Sequence, residues 1–121
     1  MENWEQQVAR ILGVPVTGIE KNYYGKNQTD VLQVNEEQLL TFYDYLRDEL
    51  TLPFFVRIDG ASVTCLRLEA ETEVDVSYGI RMECEKEGEK RFLPLSDLIV
   101  VPSDTNAIPI QLYQAWLKNH R

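Results

Sequence analysis

Hydrophobic positions recur along this chain with two periods, and the change from one to the other falls near residue 53. In residues 3–12, NWEQQVARIL, the spacing of Trp4, Val8, Ile11 and Leu12 is that of one helical face, and Gly13 supplies the stop. Residues 36–50 repeat the pattern with Leu39, Phe42, Tyr43, Leu46 and Leu50. Asn35 is placed to cap that helix with Gln38 three residues on, Glu36 and Glu37 suit the positive end of its dipole, and Pro53 prevents continuation. Between the helices, Gly13, Pro15, Gly18, Asn22, Gly25 and Asn27 predict irregular chain around one or two short strands, with NYYGKNQTD as a mobile surface tip.

From residue 54 the period falls to two. FFVRI, SVTCLRL, TEVDVSY, IRMECEKE and RFLPLSDLIVV read as five short strands, with turns at Asp59-Gly60, Gly79 and Gly88. The third and fourth would form a hairpin around Tyr78 to Ile80, turning Val74, Val76, Met82 and Cys84 inward. Five short antiparallel strands suggest a small barrel of the SH3-like kind, with PLSDL as the turn before the last strand. Beyond Pro102, Thr105 or Asn106 can cap a final helix whose Ile108, Leu112, Tyr113, Trp116 and Leu117 share a face. The expected fold is therefore α+β, an SH3-like antiparallel barrel packed against two to three helices. A single domain would cover residues 1–121: a helical part over 1–52, a five-stranded barrel over 53–102 and a closing helix over 103–121.

A chain of 121 residues with 44% hydrophobic content suits one domain with a modest core. Twenty Asp and Glu against twelve Lys and Arg leave a net charge of −8, which repels phosphate backbones and anionic lipid. Nucleic acid and membranes are thus poor partners, and cations or a basic protein surface are good ones. No basic and apolar leader opens the sequence and no apolar run nears the ~20 residues that cross a bilayer, so a cytoplasmic protein is expected. Cys65 and Cys84 sit among apolar neighbours without a CxxC spacing, which favours buried free thiols over a disulfide.

Enzyme chemistry finds few parts. The one histidine, His120, lies next to the C-terminus, where a base would be hard to hold in place, and zinc-ligand spacings and phosphate-binding glycine loops are missing. What remains is oxygen-rich. Helical steps of about 100° bring Glu37, Asp44 and Asp48 within about 40° of one another, with Thr41 between them. The expected hairpin would put Glu73, Asp75, Glu83 and Glu85 on one outer face. Like charges opposed in a sheet destabilise it, and calcium, which takes six to eight oxygens in flexible geometry, would relieve that repulsion. The same acids also suit a plainly solvated surface. Asp59-Gly60 does not begin an EF-hand, since the position eleven after Asp59 is Ala70.

Four strings in order, YDYLRDELTLPF (43–54), EVDV (73–76), FLPLSDL (92–98) and YQAWL (113–117), resemble the family of small acidic calcium-binding proteins described from cyanobacteria. In that family an aromatic-acidic helix ending in a YLED-L-FPF-like string precedes a small barrel, a VPL--L strand and a Trp-containing terminal helix. The resemblance covers about residues 35–118 and implies calcium binding without EF-hands, for buffering or sensing of cellular calcium. Asp48 and Glu49 fall on the acidic pair of the family string. The acid run ahead of the family's helix is replaced here by VLQVNEEQ. The expected metal ligands are accordingly Glu36, Glu37, Asp44, Asp48 and Glu49, with Glu73, Asp75, Glu83 and Glu85 as second choice. The alternative is a metal-free acidic protein–protein interaction module, and no catalysis is expected.

Overall fold

Local chemistry sets the helix ends in the computed structural model, which describes residues 3–14, 32–101 and 104–121. The loop tip and short strands expected within 15–31 lie outside the described residues. Helix α1, Trp4–Leu12, opens with a complete capping box: the Asn3 side chain accepts from Gln6 N at 2.8 Å, and the Gln6 side chain accepts from Asn3 N at 3.0 Å. It ends on Gly13 at φ +72°, the left-handed position that glycine takes without strain. Helix α2, Glu36–Glu49, starts from Asn35, whose side chain accepts from Gln38 N at 2.8 Å. Its predicted apolar face, Leu39, Phe42, Tyr43, Leu46 and the capping Leu50, is buried throughout.

Four antiparallel strands follow in meander order: β1 Phe54–Ile58, β2 Ala61–Leu68, β3 Arg81–Lys86 and β4 Glu89–Pro94. The β1–β2 and β3–β4 hairpins turn on Asp59-Gly60 (φ +50° and +80°) and Glu87-Gly88 (φ +53° and +82°), the left-handed pairs that match strand twist. Alternate residues Phe54, Val56, Val63, Cys65, Met82 and Cys84 face inward and are buried. Helix α3, Ala107–His120, lies against this layer and against α1 and α2.

α3 is the element on which the others are assembled. Trp116 is fully buried, stacks on Phe42 of α2 with ring centroids 5.0 Å apart and 15° between planes, and donates its indole N–H to Leu32 O. Gln114 donates to the carbonyls of Leu95 and Leu98 at 3.0 and 2.7 Å, pinning the 3-10 turn Leu95–Asp97 that follows β4. Asn106 is buried and faces back across the chain: Thr51 N donates to its side-chain oxygen at 2.7 Å and its amide donates to Thr51 O at 3.2 Å. The phenol oxygen of Tyr113 accepts from Ile80 N at 2.8 Å, inside the space that a Cβ on Gly79 would occupy.

Several expectations change. The sheet has four strands and is not closed into a barrel. The fifth candidate, RFLPLSDLIVV, is divided: its first residues form β4 up to Pro94, and beyond the 3-10 turn the chain keeps its alternation, with Leu98 and Val100 buried and Ile99 and Val101 exposed. Its pairing is one rung, Arg57 N to Ile99 O at 3.2 Å. TEVDVSY is not a strand either: Glu71–Glu73 is a 3-10 turn, Val76 is 42% exposed, and a single bridge joins Asp75 to Gly79. The reason is that both edges of β3 are taken, one by β2 and the other by β4, so the hairpin around Tyr78 has no edge to pair with. Ile108 is 65% exposed, because the buried arc of α3 centres on Tyr113, Trp116 and Leu117 and Ile108 lies about 40° beyond Leu112 on that helix.

Tyr113 yields the first test. Tyr113→Phe leaves the buried Ile80 N–H without its acceptor and should cost about 1–3 kcal/mol in urea unfolding. Burial also pushes the Tyr113 phenol up from 10.0 to about 12, so the folded state favours the protonated form. That contribution is complete below pH 10 and is lost as pH rises toward 12, so stability should fall across this window in the native protein and fall less in Tyr113→Phe.

Candidate functional site

The five carboxylates expected to hold calcium all project from the outer side of α2. Glu36, Glu37, Asp44, Asp48 and Glu49 are exposed, while the opposite side of the helix is used up in the core. Their spacing along the axis decides what they can do together. At about 1.5 Å per residue, Glu37 stands about 10 Å from Asp44 and about 16 Å from Asp48, whereas Asp44 and Asp48 are about 6 Å apart. Ligands of one calcium ion sit within about 2.3–2.6 Å of it, so this face offers one ion two aspartates of the stripe at most. Asp44 is also engaged, at 2.9 Å, by Arg47. Thr41 uses its hydroxyl to donate to Glu37 O at 3.1 Å. Among the described residues no group of three or more Asp, Glu, His or Cys is gathered as a metal site would require.

The second-choice acids are not brought together. Glu83 and Glu85 do lie on β3, but Arg67 grips Glu83 with two bonds at 3.1 and 3.3 Å, and Glu85 is set opposite Lys90 in the β3–β4 register. Glu73 is in the 3-10 turn, where its carbonyl accepts from the Tyr78 hydroxyl. Asp75 is turned onto its own loop: the Ser77 N–H and hydroxyl donate to it at 2.8 and 2.7 Å and hold its carboxyl below the usual range.

Two arrangements escaped the sequence reading. Glu69 is buried at the end of β2 and receives Arg81 through paired bonds of 2.7 and 2.6 Å, while its carbonyl accepts from the Tyr43 hydroxyl at 2.8 Å. The Arg81 guanidinium in turn lies over Tyr78, 4.2 Å from the ring centroid, with Phe92 at 5.8 Å. A groove of about 470 Å³ borders this ion pair. In the sequence Glu69 alternates with Glu71, Glu73 and Asp75, and nothing in that alternation marks the first of them as turned inward. The second arrangement is His120, expected to be loosely held and found anchored. Its side chain is 8% exposed, with Nε2 2.8 Å from a Glu5 oxygen and the ring 5.9 Å from Trp4.

The acids of α2 act on their surroundings as a band. The Tyr43 phenol is raised by burial first and then by Glu71 and Asp44, with Arg47 opposing, and Tyr45 is raised by burial and by Glu49. Glu71 therefore extends the negative field of α2 onto the connection between β2 and β3.

The two arginine-paired acids should separate in mutagenesis according to the exposure of their partners. Glu83→Gln removes a partner of an arginine that is 68% exposed and should change stability by at most ~1 kcal/mol. Glu69→Gln leaves Arg81 facing a buried neutral amide and should lower the melting temperature by clearly more, read in parallel thermal melts. No protein-family model, curated protein or solved structure matches the chain.

Proposed function

We propose that the protein is a non-catalytic binding module whose acidic α2 face docks a basic surface of a partner protein. The observation that carries this reading is the distribution of carboxylates on α2: they are exposed and strung along a rigidly seated helix instead of converging on one point. A line of fixed negative charges suits a complementary line of lysines and arginines better than one small ion. Arg47 is the one cation on the helix and is paired with Asp44, so the face keeps most of its charge. A net charge of −8 adds long-range steering of a basic partner. The SH3-like character of the β-meander belongs to this reading and draws support from the 3-10 turn and the Arg57–Ile99 rung, as does a cytoplasmic location from the absence, among the described residues, of any helix long and apolar enough to cross a membrane.

Calcium binding is the second reading. It is favoured by Asp44 and Asp48 standing one turn apart at the exposed end of α2, with Glu49 beside them and the Asp48–Glu49 pair on the string shared with the calcium-binding family.

Two titrations separate the readings. A lysine- and arginine-rich peptide should bind the protein at low salt, weaken steeply as salt is raised past about 150 mM, and lose at least tenfold in affinity in the Glu36→Lys, Glu37→Lys, Asp48→Lys triple variant. Peptide affinity unchanged in that variant would remove α2 from the interface. Calorimetry of the chelator-stripped protein with calcium, and magnesium as control, reports the other reading. Saturable, magnesium-resistant binding that Asp48→Asn weakens tenfold or more would put calcium first.

A further inference from the structure

Cys65 and Cys84 are the two cysteines of the chain, both free, and they are direct partners in the β2–β3 register. Their sulfurs are 3.8 Å apart, and both residues are buried. Residues directly opposed in an antiparallel pair have Cα atoms about 4.5 or 5.5 Å apart, inside the span of about 4.4–6.8 Å that a disulfide bridges. Leu66, next to Cys65, is the extra residue where the register shifts, so the backbone beside the pair departs from a regular ladder. Of the two, only Cys84 borders a cavity among the described residues. That cavity, of about 330 Å³ at the end of the sheet formed by the two tight turns, sets Cys84 among the apolar Ile58, Val63 and Leu93, with a polar mouth of Lys86 and Arg91 beside Asp59, Glu87 and Glu89.

We propose that Cys65 and Cys84 form a reversible dithiol–disulfide couple, oxidised by a small hydroperoxide that enters this cavity and meets Cys84 first. Cys84 is the sulfur that borders the cavity, and the hydrogen bond it shares with Cys65 favours its ionised form. The Cys84 thiolate attacks one peroxide oxygen, the O–O bond breaks, and the other oxygen leaves as hydroxide, giving a sulfenic acid. Cys65 then attacks the Cys84 sulfur, the S–O bond breaks, and the oxygen leaves as water with the proton from Cys65. The thiols lose two electrons, the leaving hydroxide takes up the proton that Cys84 released, and hydrogen peroxide becomes two waters, whereas an organic hydroperoxide would become one alcohol and one water. A small thiol entering by the same route reverses the couple through a mixed disulfide at Cys84. The link would tie β2 to β3 covalently, adding to the ladder bonds and to the Arg67–Glu83 and Arg81–Glu69 pairs that hold the two strands across the long connection through 69–80.

The test uses the folded, reduced native chain treated with hydrogen peroxide, then unfolded and alkylated. The expected result is an intact mass lighter by two hydrogens, no alkylated thiol, a Cys65–Cys84 linked peptide, and full reversal by dithiothreitol. Two alkylatable thiols after treatment, added oxygen without a link, or links only between chains would each overturn the proposal. Order of attack is read in single variants: Cys65→Ser should let dimedone trap a sulfenic acid on Cys84, whereas Cys84→Ser should leave Cys65 unmodified. Because serine at either buried position can compromise folding, Leu93→Trp provides an independent readout. By filling the cavity it should slow disulfide formation severalfold, and an unchanged rate would rule out this route and with it the proposal.

Discussion

The stack of Trp116 on Phe42 is the contact from which the rest of the molecule follows. It joins the last helix to the helix that precedes the sheet, and it brings Tyr113, one turn earlier on α3, edge-on to the same Phe42 ring at 5.5 Å. With Tyr113 fixed, its phenol oxygen reaches Ile80 N across the sheet, and the chain can pass beneath it only because residue 79 has no side chain. Gly79 also has φ +75°, so two independent constraints fall on one residue. Helix packing therefore fixes the place where β3 begins. The position of β3 fixes what β2 and β4 can pair with.

This dependence explains which parts of the fold were legible in the sequence. The helices were, because each carries its own period and its own stop: Gly13 ends α1, and Asn35 opens α2 with a cap that the structure retains. The two tight hairpins were legible for the same reason, since Asp59-Gly60 and Gly88 are local turn chemistry. TEVDVSY was misread because alternation reports a backbone that could be a strand and says nothing about whether an edge is free to receive it. Ile108 was misread because α3 is buried over a wide arc, and its rim cannot be located from composition. Asn106 likewise serves Thr51 rather than the first turn of α3, a pairing across 55 residues.

The candidate site divides along the same line. That α2 would show acids outward was readable from its periodicity, and the structure places all five there. Whether they converge was also implicit in the helical rise, since Glu37 and Asp48 share a face yet stand about three turns apart. The arginine partners of Glu69 and Glu83 were not readable, because they depend on β2 pairing with β3 across the connection rather than on either strand alone. The opposed cysteines share that origin. Nineteen residues separate them, and only the register makes them neighbours.

Charge and thiols are consequently arranged by one feature, the β2–β3 ladder. Where the ladder sets an acid beside a cation, as at Glu83 with Arg67, that acid is spent within the sheet. Glu69, at the end of β2, is likewise spent on Arg81, and through its carbonyl it also seats Tyr43 and hence α2. The acids of α2 have no such ladder, and Arg47 alone opposes them on that helix. Exposed acids thus stay strung along α2 while Glu69 and Glu83 are paired within the sheet, and the Glu69 carbonyl at the end of β2 holds Tyr43 of α2. The cavity beside Cys84 lies toward the opposite end of that strand, near the Asp59-Gly60 turn. β2 is therefore the strand common to the cysteine pair and to the Glu69 contact that seats α2.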